Sequence, residues 1–163
     1  MKQLIVVRHA KSSWADAGMQ DFDRPLNNRG LNDAPIMAER LLAKGIHLQA
    51  ILSSPANRAL TTAAIFANKM EIPFQNIIQI PGLYHASSET LFSVAKQIED
   101  NYHTVAIFTH NPGITSFVNQ LSEKYIIDMP TCGVFAVKAN VDSWQMLTPK
   151  STTFHFFDYP KAG

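Results

Sequence analysis

LIVVRHAKSSW, residues 4–14, runs four aliphatic residues straight into an arginine, a histidine and a series of small or polar residues. A continuous apolar run of this length, bounded by polar residues, is the pattern of a strand buried on both faces in a parallel sheet. Such a strand has no use for Arg8 and His9 in its interior, so their place is its carboxyl end, where open α/β sheets bind ligands.

The same grammar recurs downstream. Ala50–Leu52 is a second short strand, followed by SSPANRALTTAAIFANK (53–69), where Ser54 is read as an N-cap, Pro55 as the first helical residue and Arg58 as a residue of the first turn. NIIQI (76–80) is a third strand ending at Pro81-Gly82, and SSETLFSVAKQIEDNY (87–102) is a helix capped by Ser87, with Leu91, Ala95, Ile98 and Tyr102 on one face. TVAIFTHNPG (104–113) repeats the opening, an aliphatic strand ending in His110, and Ile114, Phe117, Val118 and Leu121 mark the next helix.

Between the first two strands, Leu31, Ala34, Met37, Ala38, Leu41 and Leu42 recur at helical spacing up to Gly45. Pro35 in that run predicts either a late start capped by Asn32 or Asp33, or a kink. GVFAVKANVDSWQML (133–147) reads as an antiparallel hairpin turning at Asn140–Ser143, with TFHFFDY (153–159) as an edge strand. Strands separated by helices predict a three-layer α/β/α sandwich with a mainly parallel sheet and an antiparallel C-terminal hairpin or edge strand.

The chain has 163 residues, which fits a single domain over 1–163. Fourteen Lys and Arg against thirteen Asp and Glu leave a net charge of +1, so no overall basic field argues for nucleic acid. Cys132 is the only cysteine, which excludes an internal disulfide and a cysteine-based zinc cluster. The apolar run at the N-terminus is too short for a signal peptide or a membrane span, and a cytoplasmic location without membrane association is expected.

Strand-end placement gathers Arg8, His9, Arg58 and His110 on one rim, beside helix N-termini whose N–H groups and dipoles suit an anion. Arginine's planar fork grips phosphate oxygens, so the implied ligand is a phosphoryl group. Histidine among arginines adds a nucleophile, because neighbouring cations lower its pKa and favour neutral imidazole. His9 would attack phosphorus while Arg8 and Arg58 hold the equatorial oxygens. Ser12 and Ser13 follow closely enough to donate hydrogen bonds to phosphate, as could Asn57 and Thr109. Trp14 and Tyr84 are candidates for the mouth of the pocket. Asp16, Asp21 and Asp23 are the carboxylates that folding could bring to the arginines.

Taken in order, VVRHAKSSW, DFDRPLNNRG, ILSSPANRALTTA, GLYHAS and FTHNPG resemble the histidine phosphatase superfamily, and most closely its short SixA-like phosphohistidine phosphatases. The resemblance implies a phosphoenzyme on His9, a phosphate pocket formed by Arg8, Arg58 and His110, participation of Arg24 in that pocket, and no metal or other cofactor. It differs in two places. Ala10 stands where many members have glycine, a substitution common among SixA-like chains. His85 stands where mutase-like members place a glutamate acid. The proton donor is thus left among His85, Glu89 and none, with Glu89 also suited to serving a helix dipole as its second residue.

Weak acid assistance favours a phosphoramidate such as phosphohistidine, whose P–N bond is labile, over alkyl phosphomonoesters. The expected partner is a phosphorylated substrate, a phosphohistidine protein among the candidates, since no long insertion offers a lid over a small metabolite. A phosphomutase would need a clearer carboxylate acid, a non-catalytic phospho-ligand module would need no nucleophile, and a metal site on His9 and His110 lacks the close ligand spacing such sites show.

Overall fold

A computed structural model of the chain describes residues 1–162. Six strands, β1 (Lys2–Arg8), β2 (Ala50–Ser53), β3 (Ile78–Gln79), β4 (Thr104–Thr109), β5 (Val134–Ala139) and β6 (Thr152–Asp158), form one sheet in the order β3-β2-β4-β1-β5-β6. The pairs β1/β4, β2/β4 and β2/β3 are parallel, whereas β5 runs antiparallel to both β1 and β6. The four helices are α1 (Asn28–Ala43), α2 (Asn57–Lys69), α3 (Ser88–Lys96) and α4 (Gly113–Leu121).

The aliphatic run of β1 is fully buried because both faces of the sheet are covered. Leu4 and Val6 join the core under α3 and α4 with Val105, Ile107, Leu91 and Phe117, while Ile5 and Val7 join the core under α1 and α2 with Ala106, Phe108, Met37 and Phe66. The chain moves from β1 through β2 to β3 toward one edge, then reverses to β4 and on to β5. Right-handed crossovers therefore put the first and second helix pairs on opposite faces. The connections leaving the adjacent strands β1 and β4 diverge, which opens a crevice at their carboxyl ends.

Several local expectations are corrected. Helix α1 neither begins late nor takes Asn32 or Asp33 as its cap: it starts at Asn28, capped by Asn27, whose side chain accepts from the Gly30 N–H at 2.9 Å. Pro35 lies inside it, so the Leu31 carbonyl lacks its intrahelical donor, and Leu31 sits on the exposed face. Helix α2 starts at Asn57 instead of Pro55, because the Ser54 hydroxyl accepts from Ala56 N–H in a turn before it. Ser87 caps α3 as expected, but the helix ends at Lys96, before Ile98 and Tyr102. The tail hairpin is formed by β5 and β6, with 3₁₀ turns at Trp144–Met146 and Pro149–Ser151 between them; SWQML is not a strand, because Trp144 is buried in the core and its indole N–H is held by the Tyr102 carbonyl at 2.8 Å.

Gly113, at the start of α4, is set against the loop that carries His85: a β-carbon there would lie 1.8 Å from the Ala86 carbonyl oxygen. Backbone must move to admit it. Gly113→Ala is expected to destabilise the fold by about 2 kcal/mol and to lower the melting temperature by roughly 5 °C in a thermal scan.

Candidate active site

The register of β1 on β4 pairs Arg8 with Thr109, so both strands end at the same level and His9 and His110 emerge side by side. Their ring centroids are 5.1 Å apart. Ser54 joins them from the end of β2, where its N–H bonds the Phe108 carbonyl at 3.0 Å. A cleft of ≈ 420 Å³ opens over this rim, lined among others by Arg8, His9, Ser12, Arg24, Arg58, His85 and His110. The residues expected to bind or transfer the phosphoryl group, Arg8, His9, Ser12, Arg24, Arg58, His85 and His110, are thus brought together, whereas Glu89 is not among them. That side chain is the second residue of α3 and lines a separate groove with Phe92 and Lys96.

Each imidazole has one nitrogen fixed. His9 Nδ1 lies 2.8 Å from the Ala10 carbonyl and so carries the proton it donates there, which leaves the Nε2 lone pair free. Ala10 is itself anchored, its N–H donating to Thr62 Oγ1 at 3.0 Å, while the Thr62 hydroxyl donates to the Arg58 carbonyl at 2.7 Å. His110 Nε2 is 2.8 Å from Ser54 Oγ. That oxygen also accepts from Ala56 N–H, so with its own proton directed to Nε2 the His110 hydrogen would sit on Nδ1. Nδ1 is buried without a protein partner.

Burial lowers the pKa of His9 from 6.5 to about 4, with Arg58, Arg8 and Arg24 pushing the same way. His110 is lowered to about 3, chiefly by burial, then by His9 and Arg58. Neighbouring cations were expected to keep His9 neutral. Burial is the larger cause, and with His9 and His110 neutral the cations lining the pocket include the three arginines and Lys11.

Arg8 donates through Nη1 to the Met129 carbonyl at 2.8 Å, while its Nε is buried with no partner, and burial lowers its pKa. Arg24 and Arg58 share one carboxylate. Asp21 Oδ1 accepts from Arg24 Nη1 at 3.0 Å, and Asp21 Oδ2 accepts from Arg58 Nη2 at 3.0 Å and from the Tyr84 hydroxyl at 2.6 Å. Arg24 also donates from Nε to the Ser13 carbonyl at 3.0 Å and from Nη2 to the Ser12 hydroxyl. Ser12 is therefore engaged with an arginine as well as lining the cleft.

Trp14 lies over the Arg24 guanidinium, 3.3 Å from guanidinium carbon to ring centroid, with 73 % of its surface exposed. His85 sits at φ 58°, a conformation histidine adopts more readily than most residues, and its ring packs on Tyr84 with centroids 3.9 Å apart. Three weaker candidates point elsewhere: Asn57 Nδ2 donates to the Asp23 carbonyl, Thr109 Oγ1 to the Leu83 carbonyl, and Ser13 Oγ accepts from Ala15 N–H. Ser54 was expected only as a cap; its partnership with His110 was missed, although its place after β2 is equivalent to that of Arg8-His9 after β1. Among the described residues no group of three or more His, Cys, Asp or Glu side chains is placed to hold a metal ion, and no helix is long and apolar enough to cross a membrane.

Residues 4–87 match the family model of the histidine phosphatase superfamily (branch 1). An uncharacterized chloroplastic protein of Arabidopsis thaliana is 31% identical over 152 residues, covering 88% of this chain and 69% of its own. An uncharacterized protein of Mycobacterium tuberculosis is 28% identical, covering 95% of this chain and 100% of its own. A shorter match, 40% identical over 65 residues, or 39% of this chain and 30% of the other, is to phosphoserine phosphatase 1 of Hydrogenobacter thermophilus. Among solved structures, one named for the phosphohistidine phosphatase SixA, from Agrobacterium tumefaciens, superposes with a TM-score of 0.81 at 27% identity over 98% of both chains.

The depressed histidine pKa values carry a stability consequence. The unfolded chain binds protons at these imidazoles near pH 6.5 and the folded chain only near pH 4 and below, so the unfolded state gains protons first on acidification. Stability is expected to be complete above pH 6.5 and to fall as the pH drops toward 4, read as a falling urea midpoint. The fall is expected to be shallower in His110→Asn, and an NMR titration of the wild type is expected to show both rings neutral at pH 6.

Proposed function

The chain belongs to the histidine phosphatase superfamily and acts as a phosphatase; from that premise, we propose that it hydrolyses phosphohistidine on a protein substrate, without metal, through a phosphoenzyme on His9, and that residues 1–163 work as one domain. The observation that carries the substrate class is the state of Asp21. It is the one carboxylate lining the cleft among the described residues, its pKa is lowered first by the Tyr84 hydroxyl and then by Arg24 and Arg58, and it is therefore no proton donor. A substrate whose leaving group needs little acid fits such a pocket.

The Nε2 lone pair of His9 forms the new bond to phosphorus in line with the departing group, and the electrons of the broken P–N bond return to the leaving nitrogen. A phosphohistidine ring protonated on its other nitrogen leaves as neutral imidazole and requires no enzymic acid. An alkyl phosphomonoester leaves as an alkoxide unless protonated, a task that falls to His85 or water. Arg8 and His110 line the cleft beside His9 and supply donors for the equatorial oxygens, with Arg24 and Arg58 completing the charge balance. Water then attacks phosphorus, the P–Nε2 bond breaks, and inorganic phosphate leaves with neutral His9 restored.

Three guanidiniums around the histidines oppose a divalent cation electrostatically, and Ala10 and Ser54 already hold one nitrogen of each ring. Both features support metal-free chemistry. Phosphomonoesters form the second substrate class, favoured by the local similarity to a phosphoserine phosphatase.

Phosphate release from a phosphohistidine protein is expected to exceed release from a phosphomonoester panel and to be unaffected by chelator. His9→Ala is expected to abolish turnover and the acid-labile phosphoenzyme while phosphate-analogue binding partly survives; undiminished turnover in that variant sinks the mechanism. His85→Ala should slow alkyl phosphomonoesters by at least about tenfold while sparing phosphohistidine, measured as kcat on each substrate.

A further inference from the structure

Asp21 occupies a position the phosphatase chemistry alone does not explain. It belongs to a 3₁₀ turn, Asp21–Asp23, held to α2 by the hydrogen bond from Asn57 Nδ2 to the Asp23 carbonyl at 3.0 Å. From that turn the residue receives four hydrogen bonds from side chains on three segments of the chain. Its backbone carbonyl accepts from Arg58 Nη1 at 2.7 Å, and its carboxylate takes Arg58 Nη2, Arg24 Nη1 and the Tyr84 hydroxyl. Arg58 is therefore gripped by both terminal nitrogens on a single residue. Arg24 is fixed on three sides by Asp21, Ser12 and Ser13 and covered by Trp14.

A carboxylate in an anion pocket has two physical interpretations. It can compete with the phosphoryl group for the arginines, in which case removing it strengthens anion binding. Alternatively, it can take the guanidinium edges that face away from substrate and hold the remaining N–H groups in place, in which case removing it weakens binding. The geometry distinguishes them. The carboxylate is 42 % exposed and bonds Arg24, Arg58 and Tyr84 but neither Arg8 nor His9 or His110, so the groups nearest His9 in the cleft stay open to an anion. Long, flexible arginines also lose rotamer freedom on binding unless something has fixed them beforehand.

We infer that Asp21 is a positioning residue: with Tyr84 it presets Arg24 and Arg58 for the phosphoryl group and, because Tyr84 carries the His85 ring on its face, ties the His85 loop to the same anchor. This rests on the phosphatase assignment and deepens it. Tyr84 spans the cleft between Asp21 and the histidines, with its ring 5.2 Å from Phe22 and 5.5 Å from His110. One carboxylate thus links the loop after β1, the start of α2 and the loop before α3.

The test compares the full-length wild type with Asp21→Ala, Asp21→Asn and Tyr84→Phe. It measures vanadate binding by calorimetry, and kcat and KM on a phosphohistidine protein. Asp21→Ala is expected to weaken vanadate by about tenfold or more and to raise KM, the loss equivalent to one hydrogen bond to a charged group. Asp21→Asn, which keeps an acceptor oxygen, should recover part of that loss. Tyr84→Phe leaves both arginine contacts intact and is expected to change KM less than Asp21→Ala does. A melting temperature within a few degrees of wild type separates positioning from a folding defect; if Asp21→Ala does not fold, the Asp21→Asn affinity decides by the same sign. Unchanged or tighter vanadate binding in the folded variants overturns the inference in favour of competition. Absence of both vanadate binding and turnover in the wild type instead overturns the phosphatase assignment.

Discussion

The pairing of Arg8 with Thr109 across β1 and β4 is the constraint on which the site depends. Side chains alternate faces along a strand, so a shift of one residue in this register would turn Leu4 and Val6 toward the wrong core and move His9 and His110 out of level. Hydrophobic burial on two faces therefore fixes the distance between two imidazoles with a precision that loop contacts alone would not supply. The loops need only hold what the sheet has placed: Ala10 orients one ring and Ser54 the other.

Burying histidines next to arginines is unfavourable for any charged form of the rings, and the protein resolves this by keeping them neutral. The positive charge of the pocket is left to Lys11 and three guanidiniums, one of which is itself disfavoured by burial. A neutral imidazole is a nucleophile and keeps one N–H to donate, so the desolvation that weakens both bases leaves them in the form that the proposed chemistry uses. Asp21 offsets part of the remaining charge on the exposed side, where its own ionisation is least opposed by burial.

Strand ends were legible because aliphatic runs and the polar residues that stop them are local signals. Arg8, His9, Arg58 and His110 follow from them directly. Arg24 came only through family resemblance, since a loop arginine carries no periodicity to locate it. Asp21 was one of three carboxylates that folding might bring near, and nothing in the sequence ranked it above Asp16 or Asp23. Helix starts were misplaced where Asn27 outcompeted the residues around Pro35, and where Ser54 exchanged a capping role for a histidine. The C-terminal hairpin was misassigned because alternation in SWQML imitates a strand, whereas Trp144 is buried against Tyr102 instead.

The family match covers residues 4–87, yet the pocket closes only with His110, Asn111 and Thr131 and with the Met129 carbonyl that receives Arg8. The two halves of the chain are joined at β1, which is flanked by β4 and β5 and so has a strand of the later half on either side. Arg8 N–H reaches the Gly133 carbonyl, His9 N–H the Thr109 carbonyl, and Cys132 N–H the His9 carbonyl. The backbone at His9 is consequently held on both sides by segments far from it in sequence. The His9 and His110 rings are thus placed by strand pairing, whereas Trp14, Tyr84 and His85 are carried by loops.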